Sequence, residues 1–439
     1  MQTTTRVKQL GLVMATALVV GNMIGSGIFL LPATLAPLGW NSIFGWLLTI
    51  AGGLTLAGVF AALSRSLPKA GGPYAYTREA FGPAAGFLVA WSYWISIWVG
   101  NAAVATGAVS YLSVFFPSLS TAVGLHAGVT IAVIWTLTAV NCRGAYLAGG
   151  VQLATTLLKL LPLFAVILLG ALVIIGDGGA SIMPYEPSEI GIGPITAAAT
   201  LTLWGLLGLE SATVPAEKVK DPARTIPRAT MIGMIVTGII YLFACSAVIL
   251  LLPADQVAAS SAPFADFVAA HWGENAGRWL ALFAAISGFG ALNGWILLQG
   301  ELPYAMAKGG VFPSYLAKVS ARSTPVRAHV TSSALLTLVV MMNYAKSMTE
   351  LFTFVVLLST TASLVMYLAC ALSALKLQRD GKLRNSPALF VIAAIAAGYA
   401  LWTIYGAGAE AVSWGFALLL AGLPVYFVMR RSRVTAQSQ

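Results

Sequence analysis

Charge is what this chain has least of. Asp, Glu, Lys and Arg make up 9% of its 439 residues, where a soluble domain carries roughly 25%. A water-soluble fold of this size could not cover its surface with so few ionised groups. Cysteine and histidine are also sparse. Cys142, Cys245 and Cys370 lie in or beside apolar runs and form neither a disulfide framework nor a metal-binding spacing. His126, His271 and His329 sit near the ends of such runs, with no Cys/His cluster. No phosphate-binding glycine loop and no nucleophile–base arrangement appears, which argues against an ATPase or a hydrolase. No enzymatic activity, cofactor or metal is expected.

What the chain has in abundance is apolar sequence, 59% of the whole. It divides into runs long enough to cross a bilayer. Spans are expected at 10–36, 41–64, 84–115, 124–141, 149–176, 194–214, 229–252, 277–305, 328–344, 350–375, 387–407 and 411–429. The expected fold is therefore an all-α integral membrane protein with twelve transmembrane helices, one transporter domain over 1–439. The first run follows Arg6 and Lys8, as a signal peptide would, but it continues through a glycine-rich break into more membrane and is read as a span. With both termini on the cytoplasmic side, all but Arg278, Lys346 and the intramembrane Lys159 of the 24 Lys and Arg residues face inward. That is the positive-inside bias. The net charge of +10 then needs no nucleic acid; the anionic inner leaflet is partner enough.

Two of the spans interrupt themselves. The first reads Gly21-Asn22-Met23-Ile24-Gly25-Ser26-Gly27 between apolar turns, and the sixth reads Trp204-Gly205-Leu206-Leu207-Gly208-Leu209-Glu210. Glycine weakens a helix interior, and opened backbone inside a bilayer is tolerated only where it lines a cavity or holds a ligand. Broken helices at matching places in two halves of a chain point to the binding site of a secondary transporter. The amides of Ser26 and Gly27 would restart a helix and offer an anion site. The carbonyls of Met23, Trp204 and Leu207 would suit an ammonium group. Together they describe the backbone of an α-amino acid. Packing kinks built from small residues are the plainer alternative, but Asn22 and Ser26 make these breaks polar.

Two ionisable residues lie deep in spans, Lys159 and Glu210. A charge at mid-membrane costs about 2.5–3.5 kcal/mol on the insertion scale and usually faces a cavity. Lys159 is expected to set its ammonium against opened carbonyls, where another transporter would hold sodium; a cation that merely pins two helices is the alternative. Glu210 is expected to carry a proton or to steady the loosened helix. Trp204 and Trp295 are too deep for the headgroup belt and are expected to frame the substrate side chain, by cation–π contact or as a plain apolar wall.

These residues resemble a known family. Gly-Asn-Met-Ile-Gly-Ser-Gly-Ile-Phe at 21–29 is similar to the first-helix signature of the amino acid–polyamine–organocation superfamily. The stretch from Leu201 to Ala212, with Pro222 and Ile226-Pro227, resembles its basic amino acid/polyamine antiporters, which include bacterial arginine/agmatine and putrescine/ornithine exchangers. The resemblance extends over Gly71-Gly72-Pro73-Tyr74-Ala75-Tyr76 and Ser261-Ala262-Pro263-Phe264. It implies a LeuT-like fold: inverted repeats over about 10–176 and 194–375, discontinuous helices 1 and 6, and two appended helices over 387–429. It implies Asn22, Met23, Ser26, Gly27, Ser96, Asn101, Trp204, Leu207, Trp295 and Ser359 as the substrate-binding set. Asn101 and Ser359 would contact the distal side chain and Trp295 would stack on it. Trp204 would be the middle gate; Tyr93, Glu210 and Tyr367 would form the inner gate. Lys159 and Glu210 would couple transport. Lys159 departs from the arginine/agmatine pattern and resembles instead the fifth-helix lysine that replaces sodium in proton-coupled and neutral amino acid members. Ile97 and Val104 make the distal pocket more apolar than a guanidinium site.

The expectation is thus a sodium-independent amino acid exchanger of a bacterial inner membrane, working by alternating access on an amino acid or amine. Proton symport of a neutral amino acid stands as the alternative, and a non-transporting amino acid sensor as the alternative of another class. A channel would need a continuous polar pore that the spans do not show. Whether the unit is a homodimer is left open.

Overall fold

The computed structural model describes residues 10–437 apart from 69–70, 123, 144–145, 214–215, 217–218 and 322–323, and leaves the side chains of Ser26, 146–157 and 430–437 undescribed. Among the cations counted above, Arg6, Lys8, Lys69, Lys218 and Arg322 lie outside the described residues. Long helices account for most of the chain. They are α1 (Leu12–Met23), α2 (Trp40–Ser66), α3 (Pro83–Leu112), α4 (Leu125–Arg143), α5 (Tyr146–Asp177) and α6 (Ile192–Gly205). There follow α7 (Pro222–Leu251), α8 (Glu274–Lys308), α9 (Val326–Met342), α10 (Met348–Arg379), α11 (Pro387–Gly406), α12 (Gly408–Leu420) and α13 (Gly422–Gln437). No strand occurs among the described residues; the only pairing is an isolated parallel bridge between Leu10 and Val219.

Nine described segments are long and apolar enough to cross a membrane, against the twelve runs expected. The shortfall has a physical cause. The expected spans 10–36 and 194–214 are cut by their own breaks, leaving 12 residues in α1 and 14 in α6. The expected span 328–344 yields 17 residues in α9. The last span is counted among the nine as Gly408–Met429, although α12 and α13 meet within it at Ala421.

Packing is ordered from centre to rim. In α3, 83% of the most apolar stretch is buried, against 11% for Gly408–Met429. On α5 the outward face carries Leu161, Phe164, Leu168, Leu172 and Ile175, all exposed at helical spacing, an apolar stripe that only lipid would cover. The neighbour pairs repeat with an offset of five. α2 packs on α7, α3 on α8 and α4 on α9. The pair α1–α7 is matched by α6–α2, and α3–α10 by α8–α5.

Helices in lipid gain little from burying apolar area against one another, so close contact through small residues matters more. A Cβ at Gly45 in α2 would stand 2.5 Å from the Ala198 Cβ and 3.0 Å from its backbone carbon in α6. Gly45→Val is therefore expected to lower the thermal midpoint of the detergent-purified protein. Gly398→Ala, at an α11 position with nothing within 4 Å, should leave it unchanged or raise it slightly, since alanine favours helix by up to about 1 kcal/mol.

Candidate functional site

The first break falls just after Met23. Ile24 (φ −80°, ψ 92°) and Gly25 (φ −106°, ψ 177°) are extended, and a 3₁₀ turn then covers Ser26–Phe29 before a short helix at Leu31–Leu35. The Gly25 amide bonds to the Met23 carbonyl at 3.0 Å instead of reaching back to Gly21. The Gly21 carbonyl thereby loses its ladder donor. Lys159, fully buried on α5, donates its Nζ to that carbonyl at 3.3 Å. The Met23 carbonyl, one of the expected ammonium acceptors, already takes a second bond from the Tyr241 hydroxyl at 2.9 Å. Tyr241 on α7 was not singled out in the sequence. Its only signal there is a hydroxyl in an apolar run.

The second break begins where α6 ends at Gly205. Leu206 and Leu207 turn back to the carbonyls of Leu203 (2.9 Å) and Trp204 (3.1 Å), so the Trp204 carbonyl is also engaged. Gly208 has φ +106°, a backbone region that side chains disfavour. A Cβ placed there would lie 3.3 Å from the Asn22 carbonyl carbon. The two breaks therefore touch, backbone to backbone.

A cavity of about 50 Å³ lies beside this contact. Of the expected substrate-binding residues, Asn22, Met23, Ser96, Asn101, Trp204, Leu207, Trp295 and Ser359 line it. Ile97, Val104 and Tyr241 complete much of the wall. Gly27 is not on the wall, because Trp204 covers it: any side chain at Gly27 would overlap the indole. The same indole meets Phe352 edge-on, with ring centroids 5.5 Å apart. The Ser26 side chain lies outside what the structure describes. Lys159 is not a lining residue; it stands behind α1, tied to the freed carbonyl.

Tyr93 and Glu210 also line the cavity. The buried Glu210 carboxylate accepts from the Tyr367 hydroxyl at 2.7 Å, and the Tyr93 hydroxyl faces the same carboxylate. The three residues expected at an inner gate are thus brought together. Elsewhere on the lining, Asn101 donates through Nδ2 to Gln299 at 2.7 Å, and the Ser359 hydroxyl donates to the Ser96 carbonyl at 2.8 Å.

The contact of Gly208 with Asn22 gives a direct test. Gly208→Ala should cost about 1–3 kcal/mol of stability, the usual range for a residue held in a sparsely populated conformation. It should also weaken ligand binding, because the new methyl presses on the first break. Thermal unfolding and equilibrium binding of the purified variant measure the two effects.

A family model described as amino acid permease matches residues 10–431. The chain is 36% identical to the cadaverine/lysine antiporter of Escherichia coli (strain K12) over 344 residues, covering 77% of this chain and 76% of that one. It is 29% identical to the putrescine transporter PotE of Haemophilus influenzae over 422 residues, covering 95% and 96%. Paired helix breaks around a buried cavity, a lipid-facing apolar rim and a match along nearly the whole chain lead to one assignment: this is a multi-pass membrane transport protein, not an enzyme, and it belongs to the amino acid permease family of the amino acid–polyamine–organocation superfamily.

Proposed function

We propose that this protein exchanges a basic amino acid for a related amino acid or amine across a bacterial inner membrane, by alternating access and without sodium. The observation that carries the reading is the meeting of two broken helices at Asn22 and Gly208 beside a buried cavity that Asn22 lines. Backbone is opened in a bilayer only for a ligand or a cavity, and a cavity lies beside the breaks here. The curated relatives named for cadaverine, lysine and putrescine support a small amine or amino acid as cargo.

In this reading twelve spans form two inverted repeats, 10–176 and 194–375, with the rest appended. The offset-of-five pairing of helices supports it, since an inverted repeat carries every contact into a partner contact. Both termini lie on the cytoplasmic side. The substrate carboxylate reaches the Ser26 and Gly27 amides after Trp204 swings off Gly27, which makes Trp204 the middle gate. The substrate ammonium turns to the carbonyls of the two breaks, Leu207 among them, and Trp295 flanks the distal end. Tyr93, Glu210 and Tyr367 hold the inner gate shut.

Lys159 accounts for sodium independence. A sodium ion would bridge carbonyls freed by a helix break; here a tethered ammonium bonds to Gly21 in its place. A second reading, proton-coupled uptake of a neutral amino acid, draws on the apolar lining by Ile97 and Val104.

Proteoliposomes preloaded with lysine, cadaverine or a neutral amino acid separate these readings. Wild type should show trans-stimulated lysine uptake that is unchanged when sodium is replaced by potassium. Lys159→Ala leaves the buried Gly21 carbonyl unpaired, a loss of about 1–3 kcal/mol, and should cut that uptake about tenfold or more. Full, pH-independent exchange by Lys159→Ala contradicts the coupling role. Uptake driven by a pH gradient into empty vesicles would replace exchange with symport.

A further inference from the structure

We propose that Asn101 Oδ1 and the Ser96 and Ser359 hydroxyls turn hydrogen-bond acceptors to the cavity, and that a buried relay through Gln299, Ser333 and Thr138 locks Asn101 into that polarity. This rests on the cavity being the substrate site, as in the reading above, and it narrows the cargo to molecules that end in an amine.

The nitrogen and oxygen of an amide side chain are alike in shape, so their placement must be argued from the bonds they make. Here the bonds leave one solution. The relay starts at the Ile134 carbonyl, which can only accept. The Thr138 hydroxyl lies 2.7 Å from it and must donate its single proton there. Thr138 and Ser333 hydroxyls are 2.7 Å apart, so Ser333 must be the donor to Thr138. With its proton committed, Ser333 can only accept from Gln299, which must present Nε2 at 2.8 Å. The Gln299 oxygen is then turned toward Asn101, and Asn101 must present Nδ2 at 2.7 Å. What remains is Asn101 Oδ1, buried without a donor in a residue that lines the cavity.

Two hydroxyls on the same lining repeat the pattern. Ser96 spends its proton on the Tyr93 carbonyl and Ser359 spends its own on the Ser96 carbonyl, each at 2.8 Å. Only lone pairs are left to face a ligand. A buried acceptor with no donor is unfavourable, and three acceptors together call for a group with several N–H bonds. An ammonium has three donors and no acceptor. A methyl leaves the wall unsatisfied, and a carboxylate repels it.

Competition binding on the full-length protein in detergent tests this with three amino acids of one carbon skeleton. Lysine ends in an ammonium, norleucine lacks it, and 2-aminoadipate ends in a carboxylate. Wild type should bind lysine at least about tenfold more tightly than norleucine, the scale of one hydrogen bond to a charged group, with 2-aminoadipate weakest. Thr138→Val frees Ser333 to donate to Gln299, so both amides can turn over. The lysine-to-norleucine ratio should then shrink about tenfold, while norleucine affinity holds. Thr138→Ser keeps the donor to Ile134 and should restore the ratio. Ser333→Ala unlocks the relay by a second route and should mimic Thr138→Val, which covers the case of a poorly folded valine variant. An unchanged ratio in both unlocked variants, an equal loss for all three ligands, or a wild type indifferent to the terminal group overturns the proposal. Selective lysine binding without counterflow in vesicles would instead remove the exchanger reading and leave the relay standing.

Discussion

A peptide bond inside a bilayer has no water to turn to, and this molecule opens two helices there. Each break frees N–H and C=O groups whose unmet cost would be several kcal/mol apiece. The architecture can be understood as the answer to that constraint. α5 brings Lys159 to the Gly21 carbonyl, α7 brings Tyr241 to the Met23 carbonyl, and the second break lays Gly208 against Asn22. The groups left over face a cavity of about 50 Å³. In the proposed function, stability and ligand recognition draw on the same small set of backbone atoms.

The surroundings of the breaks sort into three roles. Lys159 satisfies the opened backbone from outside the cavity lining, and Tyr241 does so from the cavity wall. Trp204 lies over Gly27 and against Phe352, covering the turn where a carboxylate would bind. The Asn101–Gln299–Ser333–Thr138 chain runs outward from the cavity through α3, α8, α9 and α4. It carries a fixed hydrogen-bond direction into the site from four separate helices.

Much of this was legible in the sequence because a bilayer leaves few options. Apolar runs had to be helices, and most long ones lie close to the expected bounds, though α7 starts at Pro222 where 229 was expected. Lys159 and Glu210 stood out because charge in such a run is costly. The breaks stood out because Gly25 and Gly208 sit where a helix would otherwise be unbroken. Other features needed the third dimension. Tyr241 reads as one more aromatic residue until α7 sets it beside Met23. Thr138, Ser333 and Gln299 belong to spans far apart in the chain, and a lone hydroxyl or amide in a helix most often bonds its own preceding turn. The engagement of the Met23 and Trp204 carbonyls was hidden for the same reason: the sequence shows where a helix opens, not which neighbour fills the gap.

A high-resolution experimental density map of the protein with lysine bound tests the central claim most directly. The account requires extended backbone at Ile24–Gly25 and an interrupted helix at 206–208. Ligand density should lie between them, with the ammonium end at Asn101. Helices wound continuously through 22–27 and 204–210, or lysine density away from the two breaks, would contradict it.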